Sequence, residues 1–142
     1  MPIKVLSTMR PRTAEDYLDY FLMVTKAEDS MRPRNMWLDF DPTLKVYVRR
    51  AHRLLGPRTL GSRLTTVLDI ANVEATPTGQ GRFRKFLTHV ETFEPWEGVF
   101  VENVMSERFK QFFRKRGYKE VDYDPILEPS TSSFYKLWNK NN

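Results

Sequence analysis

A chain of 142 residues, 40% hydrophobic and 13% aromatic, carries enough apolar material for one domain with a buried core, which excludes wholesale disorder. The absence of cysteine excludes a disulfide framework, thiolate-bound zinc and a cysteine nucleophile, and with only His52 and His89 present a histidine-rich metal site is not expected. A net charge of +5 favours acidic partners, whether nucleic acid, an acidic protein surface or a phosphate-bearing cofactor, without choosing among them.

At the start of the chain, Met1-Pro2-Ile3-Lys4 lacks the apolar core of a secretory signal, and no later apolar stretch approaches the roughly 20 residues that span a bilayer. The chain therefore reads as one cytoplasmic domain over residues 1–142. Thr13 followed by Asp16 marks a helix start, and Tyr17, Leu18, Phe21 and Leu22 recur on one face, which predicts an amphipathic helix from Thr13 to Ala27. After a polar, proline-bearing loop from Asp29 to Asn35, Met36 to Phe40 reads as a short strand. Asp41 and Pro42 then suit a helix start, and Leu44, Tyr47, Val48, Ala51, Leu54 and Leu55 form one stripe before Gly56, so a helix is expected over Pro42 to Leu55. The β-branched Val46 and Val48 beside Tyr47 leave a strand reading open there.

The run Leu64 to Val73 is rich in β-branched residues and predicts a strand, followed by the glycine-bearing turn Thr76-Pro77-Thr78-Gly79-Gln80-Gly81. Phe83, Phe86, Leu87, Val90 and Phe93 are spaced for one face of a helix, and Val99 to Val104 is a short apolar strand. Ser106 can cap a further helix that buries Phe109, Phe112 and Phe113, with Lys115 and Arg116 in its last turn and Gly117 at its stop. Lys119 to Tyr123 and Ser133 to Trp138 are weaker strand candidates.

Strand, glycine turn, helix, strand, helix is a βαβα unit, and the turn entering its first helix offers backbone N–H groups to an anion. Gly79 and Gly81 let the backbone approach closely, and Arg82, Arg84 and Lys85 add positive charge, although a plain tight turn has the same signature. Neither a Walker loop nor the dinucleotide fingerprint is present.

The segment from Leu64 to Trp138 resembles the Gcn5-related N-acetyltransferase family. Thr78-Gly79-Gln80-Gly81-Arg82-Phe83-Arg84-Lys85-Phe86-Leu87 is similar to that family's Arg/Gln-x-x-Gly-x-Gly/Ala turn and its following helix, and Phe113-Arg114-Lys115-Arg116-Gly117-Tyr118 is similar to its closing Tyr-x-x-x-Gly-Phe. The resemblance implies an α/β fold with a mixed central sheet and helices on both faces, abbreviated at its N-terminal end if residues 42–55 are helical. It implies acetyl-coenzyme A or another acyl-coenzyme A between two splayed strands, held by Val73, Glu74, Thr78, Gly79, Gln80, Gly81, Arg82, Phe83, Ser106 and Phe113. It also implies direct acyl transfer to an amine, with a carboxylate or water as base and a tyrosine protonating the departing thiolate.

The chain departs from the family's pattern at several of these positions. Thr78 stands where the family has Arg or Gln, Phe83 where it has Gly or Ala, Ser106 where many members have Asn, and Phe113 where they have the protonating tyrosine. Small bacteriophage-type members show similar erosion, so a binding or structural protein that kept the fold is the competing expectation. Glu74 and Glu102 are the candidate bases, each weighed against simple exposure at a strand end. Tyr118 and Tyr123 do not match the missing tyrosine and are expected to pack. His52 and His89 are expected to be solvated. The helix-borne basic residues Lys45, Arg49, Arg53, Arg108, Lys110, Arg114, Lys115 and Arg116 make a nucleic-acid or acidic-protein partner the alternative, against the blander reading of solvated faces.

Overall fold

A computed structural model describes residues 16, 18, 19, 21, 22, 35–41, 43–55, 63–76, 80–121 and 132–138. β1 (Asn35–Asp41) and β2 (Leu44–Leu55) are antiparallel, with Leu38 opposite Val46 and Trp37 opposite Tyr47. In β2, Leu44, Val46 and Val48 are buried and alternate with less buried Lys45, Tyr47 and Arg49. This two-residue period replaces the helix expected over Pro42 to Leu55, and the β-branched valines are its local cause. The same correction removes the abbreviated N-terminal part: two strands precede the one that leads into the glycine turn, so the sheet is not shortened there. His52, expected on a helix face, lies on β2 with Nδ1 2.9 Å from Oγ1 of Thr66.

β3 (Arg63–Ala75) pairs antiparallel with β2 along its whole length, from Leu55 opposite Arg63 to Leu44 opposite Ala75. Its register shifts once, since Tyr47 faces Asn72 while Val48 faces Ile70, which leaves Ala71 as the extra residue of a bulge. α1 (Gln80–Phe93) crosses to β4 (Gly98–Val104), which runs parallel to β3. α2 (Glu107–Lys115) then leads to β5 (Lys119–Glu120), and β6 (Ser132–Leu137) inserts antiparallel between β4 and β5. The result is a mixed α/β sheet of six strands in the order β1-β2-β3-β4-β6-β5. The parallel pair needs a long crossover, which α1 supplies.

Alternation sorts the side chains onto two faces. Leu38, Val46, Val48, Leu68, Ile70, Val99, Val101 and Phe134 point to one face and form a single core with Phe83, Phe86, Leu87 and Val90 of α1 and Phe113 of α2. Leu18, Phe21 and Leu22, which are helical, join that same core. On the other face, Leu55, Val67, Phe100 and Tyr135 form a smaller cluster. Among the described residues, both complete helices therefore lie on one face, and the expected helices on the other face are not seen among those residues. The expected helix over Thr13 to Ala27 is described only at the five residues between 16 and 22, all helical.

α2 begins where the Ser106 hydroxyl accepts the Phe109 N–H at 3.4 Å. It ends at Gly117, whose φ of +89° lets the Tyr118 N–H return to the Phe113 carbonyl at 3.0 Å. Tyr118 is buried, and its hydroxyl donates to Glu91 at 2.7 Å while Arg116 holds the same carboxylate at 2.7 and 2.8 Å. That triad joins the last turn of α1 to the end of α2. Burial and the Glu91 charge push the Tyr118 phenol far above its ordinary range, so it is a packing residue, as expected. Among the described residues no helix is long and apolar enough to cross a membrane.

Phe86 has no exposed surface in the core between α1 and the sheet. Phe86→Ala is expected to destabilise the protein by about 3–5 kcal/mol, read as a lowered urea midpoint at unchanged slope.

Candidate functional site

β3 and β4 are paired only at Leu68–Val99, Asp69–Phe100 and Ile70–Val101, yet β3 runs on to Ala75 and β4 to Val104. Beyond Ile70 and Val101 the two strands part. β3 stays attached to β2, and β4 stays attached to β6. Backbone groups of β3 on its β4 side are thus left without a strand partner, next to a cavity of about 300 Å³. Val73, Asn72, Glu102 and Asn103 line its strand walls, and Phe83, Phe109 and Phe113 close it from the helices.

The aromatic floor is continuous. Phe83 meets Phe109 and Phe113 edge-on at centroid distances of 5.7 and 6.4 Å, and Phe113 stacks on Phe134 at 5.5 Å. Phe83, at 1% exposure, points inward to this floor. A side chain at Gly81 would meet nothing within 4 Å. Beside the cleft, Phe83, Arg84, Ser106, Arg108 and Phe112 line a smaller hollow of about 90 Å³.

A bulge in β4 sets the direction of Glu102. Val101 pairs with Phe134 and Val104 with Ser132, so Glu102 and Asn103 together oppose Ser133. Asn103 takes a φ of +53°, and its N–H donates to the Ser133 hydroxyl at 3.1 Å. Glu102 comes to line the cleft while its carboxylate accepts from Arg49 at 2.6 Å and lies 2.8 Å from Arg53. The same two arginines reach Asp69 of β3: Arg53 at 2.6 Å and Arg49 at 3.2 Å, both on Oδ2. Arg53 also lies 4.1 Å over the Phe100 ring.

Asp69 is fully buried. Burial and hydrogen bonding with Glu102 push its carboxyl up to about 7, against the opposing pull of Arg53. Burial also pushes Glu102 up, but hydrogen bonds with Asp69 and Arg49 and the charge of Arg53 outweigh it and hold that carboxyl below its ordinary value.

The cleft brings together Val73, Phe83, Glu102 and Phe113 from the residues singled out in the sequence. Glu74 lies elsewhere, exposed on β3 opposite Lys45. Arg82 is exposed on the first turn of α1, Gln80 opens that helix, and Thr78 and Gly79 lie outside the described residues, as does Tyr123. His89 is half-buried, with Nε2 3.2 Å from Asp19. Asp69 was not singled out. The available signal was an acidic residue inside the apolar run Val67-Leu68-Asp69-Ile70, where an isolated charge requires a partner.

No protein-family model matches the chain, and no curated protein matches it. Solved structures similar to it at low identity include the following. The toxin AtaT, a point mutant bound to the C-terminus of the antitoxin AtaR, is 12% identical with a TM-score of 0.43; the match covers 65% of this chain and 57% of that one. A KacTA–DNA complex is 12% identical with a TM-score of 0.45, covering 86% of this chain and 79% of its own. A "putative acetyltransferase" from Agrobacterium tumefaciens is 13% identical with a TM-score of 0.48, covering 87% and 90%. Likeness at this level leaves the chemistry to be argued from this chain's own geometry.

Of the basic residues expected to meet nucleic acid, five are engaged within the protein, Lys110 among them at 3.8 Å from Glu107. Arg49 and Arg53 hold Asp69 and Glu102, Arg114 holds Glu107 and Glu120, and Arg116 holds Glu91. Among the described residues no group of three or more His, Asp or Glu is placed to hold a metal ion.

Asp69 carries a consequence for stability. Its folded value of about 7 lies above the ordinary 3.8, so between these values the folded protein binds a proton that the unfolded chain releases. Its contribution is fully present below the ordinary value and is lost as pH rises to 7, at no more than about 1.4 kcal/mol per pH unit. The lowered Glu102 contributes in the opposite sense, its stabilisation being lost as pH falls from its ordinary value of 4.5, so it leaves a comparison between about pH 5 and pH 8 largely unaffected. Asp69→Asn should therefore show a smaller fall in urea midpoint between about pH 5 and pH 8 than the parent protein.

Proposed function

We propose that the protein is an acyl-coenzyme A-dependent N-acyltransferase, with the acyl thioester in the cleft between β3 and β4 and an amine acceptor as its partner. The observation that carries this reading is the end of strand pairing at Ile70 and Val101, which opens an apolar-walled cleft beside unpaired backbone donors. A thioester arm is largely apolar and carries amide groups. Aromatic walls from Phe83, Phe109 and Phe113 suit the former, and unpaired β3 backbone near Val73 and Glu74 suits the latter. In this reading an N–H of that stretch polarises the thioester carbonyl, the role of an oxyanion hole.

The pyrophosphate belongs at the entrance to α1 in this reading. Gln80 and Gly81 open the helix, whose unpaired N–H groups and dipole favour an anion, and exposed Arg82 adds charge. Gly79 and Thr78 precede it in sequence, and Ser106 contributes at the neighbouring hollow. The open space around Gly81 makes it the position to test, because a side chain there leaves the fold unstrained. Gly81→Val should fold normally and weaken acetyl-coenzyme A binding about tenfold or more in isothermal titration. Equal affinity in the folded variant removes the turn from the site.

Phe113 is the observation that favours the competing reading of a binding protein. It closes the cleft with a ring that cannot donate a proton, and among the described lining residues there is no tyrosine, serine or histidine to replace it. A positioned general acid typically contributes about 10²- to 10⁴-fold. Phe113→Tyr should therefore raise acetyl transfer at unchanged acetyl-coenzyme A affinity if the protein is an enzyme. Because the chain has no cysteine, thiol release can be followed with a thiol reagent without background from the protein. No release from either form would favour the binding protein.

A further inference from the structure

We propose that Asp69 and Glu102 work as one unit at the apex of the cleft, Glu102 receiving a proton from the acceptor and Asp69 holding it behind the wall. The inference rests on the acyltransferase reading of the same cleft. It starts from a gap in the hydrogen bonding. Asp69 has no exposed surface, its Oδ2 takes the bonds from both Arg49 and Arg53, and among the described residues no donor reaches Oδ1. A buried carboxylate oxygen without a donor is costly, and a proton on this carboxyl, given to Glu102 as acceptor, removes the cost.

Geometry holds the two acids together. One nitrogen, Nη2 of Arg53, lies 2.6 Å from Asp69 and 2.8 Å from Glu102, so both carboxylates converge on the same guanidinium. The β4 bulge turns Glu102 toward the cleft, where it retains access, while Asp69 has none. The described charged groups facing Asp69 are Arg49 and Arg53 from β2 and Glu102 from β4; toward β6 lie the rings of Phe100 and Tyr135. Two guanidinium charges balance the pair when both acids are ionised. Glu102, held low by its partners, is a weak base by itself, whereas Asp69, pushed up to about 7, is matched to neutral pH.

In the proposed step the acceptor ammonium gives one proton to the dianionic pair. The neutral amine then forms a C–N bond to the thioester carbonyl carbon, the C–S bond breaks with its electron pair on sulfur, and a second N–H proton goes to the thiolate. The proton held by the pair returns to water through the cleft. This accounting releases amide, coenzyme A thiol and one proton, and it needs no tyrosine at position 113.

The test combines a titration with a rate. Carboxyl-labelled protein should show, by ¹³C NMR, an aspartate signal titrating near pH 7 that vanishes in Asp69→Asn and moves in Glu102→Gln. With acetyl-coenzyme A and a short lysine peptide as probe, kcat/KM of the parent should rise tenfold per pH unit below 7 and level off above it. Both variants should lose that profile and fall about 10²-fold or more. Glu102→Gln, at a partly exposed site, serves if Asp69→Asn does not fold. An Asp69 signal near its ordinary value, unmoved by Glu102→Gln, overturns the pairing whatever the activity. A shared titration with a flat rate profile overturns its role in transfer. A shared titration with no thiol release at any pH overturns the acyltransferase reading of the cleft and the proton transfer with it.

Discussion

The parting of β3 and β4 is the constraint from which the site follows. Two parallel strands that stop pairing must each satisfy their outer backbone groups elsewhere, and here β2 and β6 do so. The gap left between them has backbone on both walls and needs something beneath it. Helices α1 and α2 supply aromatic side chains for this purpose, and the first turn of α1 reaches the gap through Phe83 because α1 is the crossover between the parting strands. The two bulges, at Ala71 and at Glu102–Asn103, lie just past the last paired positions, one on each side of the gap.

The charged group at the apex is the electrostatic counterpart of that geometry. Asp69 lies on the last paired stretch and Glu102 on the first unpaired one, so two acids from neighbouring strands meet where the sheet opens. Desolvation would exclude either acid alone from that place. Arg49 and Arg53 from β2 make both tolerable, and Phe100 fixes the position of Arg53. The group therefore ties β2, β3 and β4 together on the face opposite the large core.

Much of this was legible in the sequence where local signals and tertiary packing agree. The Leu64 run, the stripe from Phe83 to Val90, the Ser106 cap and the Gly117 stop all appear as read, because β-branching, helical spacing and capping act within a few residues. Residues 44–55 misled because Leu44, Tyr47, Val48, Ala51 and Leu55 satisfy a helical stripe and a two-sided strand equally well. Two-sided burial decides between them, and that depends on Arg49 and Arg53 finding acids on other strands. Glu102 could be singled out from its place at a strand end, but its partnership with Asp69 depends on register across three strands, which no local pattern encodes. Phe83 and Phe113, read as departures from a family motif, turn out to share one aromatic floor, a relation set by how α1 and α2 meet.

Stiffness is shared unevenly between the two walls of the cleft. β3 is zipped to β2 from end to end, whereas β4 holds β3 at three positions and β6 along an interrupted register. The end of β3 is fastened as well, since the Thr76 N–H donates to the Thr43 carbonyl at 2.9 Å. One wall thus belongs to a rigid three-stranded plate, and the other belongs to a smaller unit of β4, β6 and α2. Breathing of the cleft falls to the β4 side, where the bonds from Arg49 and Arg53 to Glu102 are the link that fastens the compliant wall back to the plate.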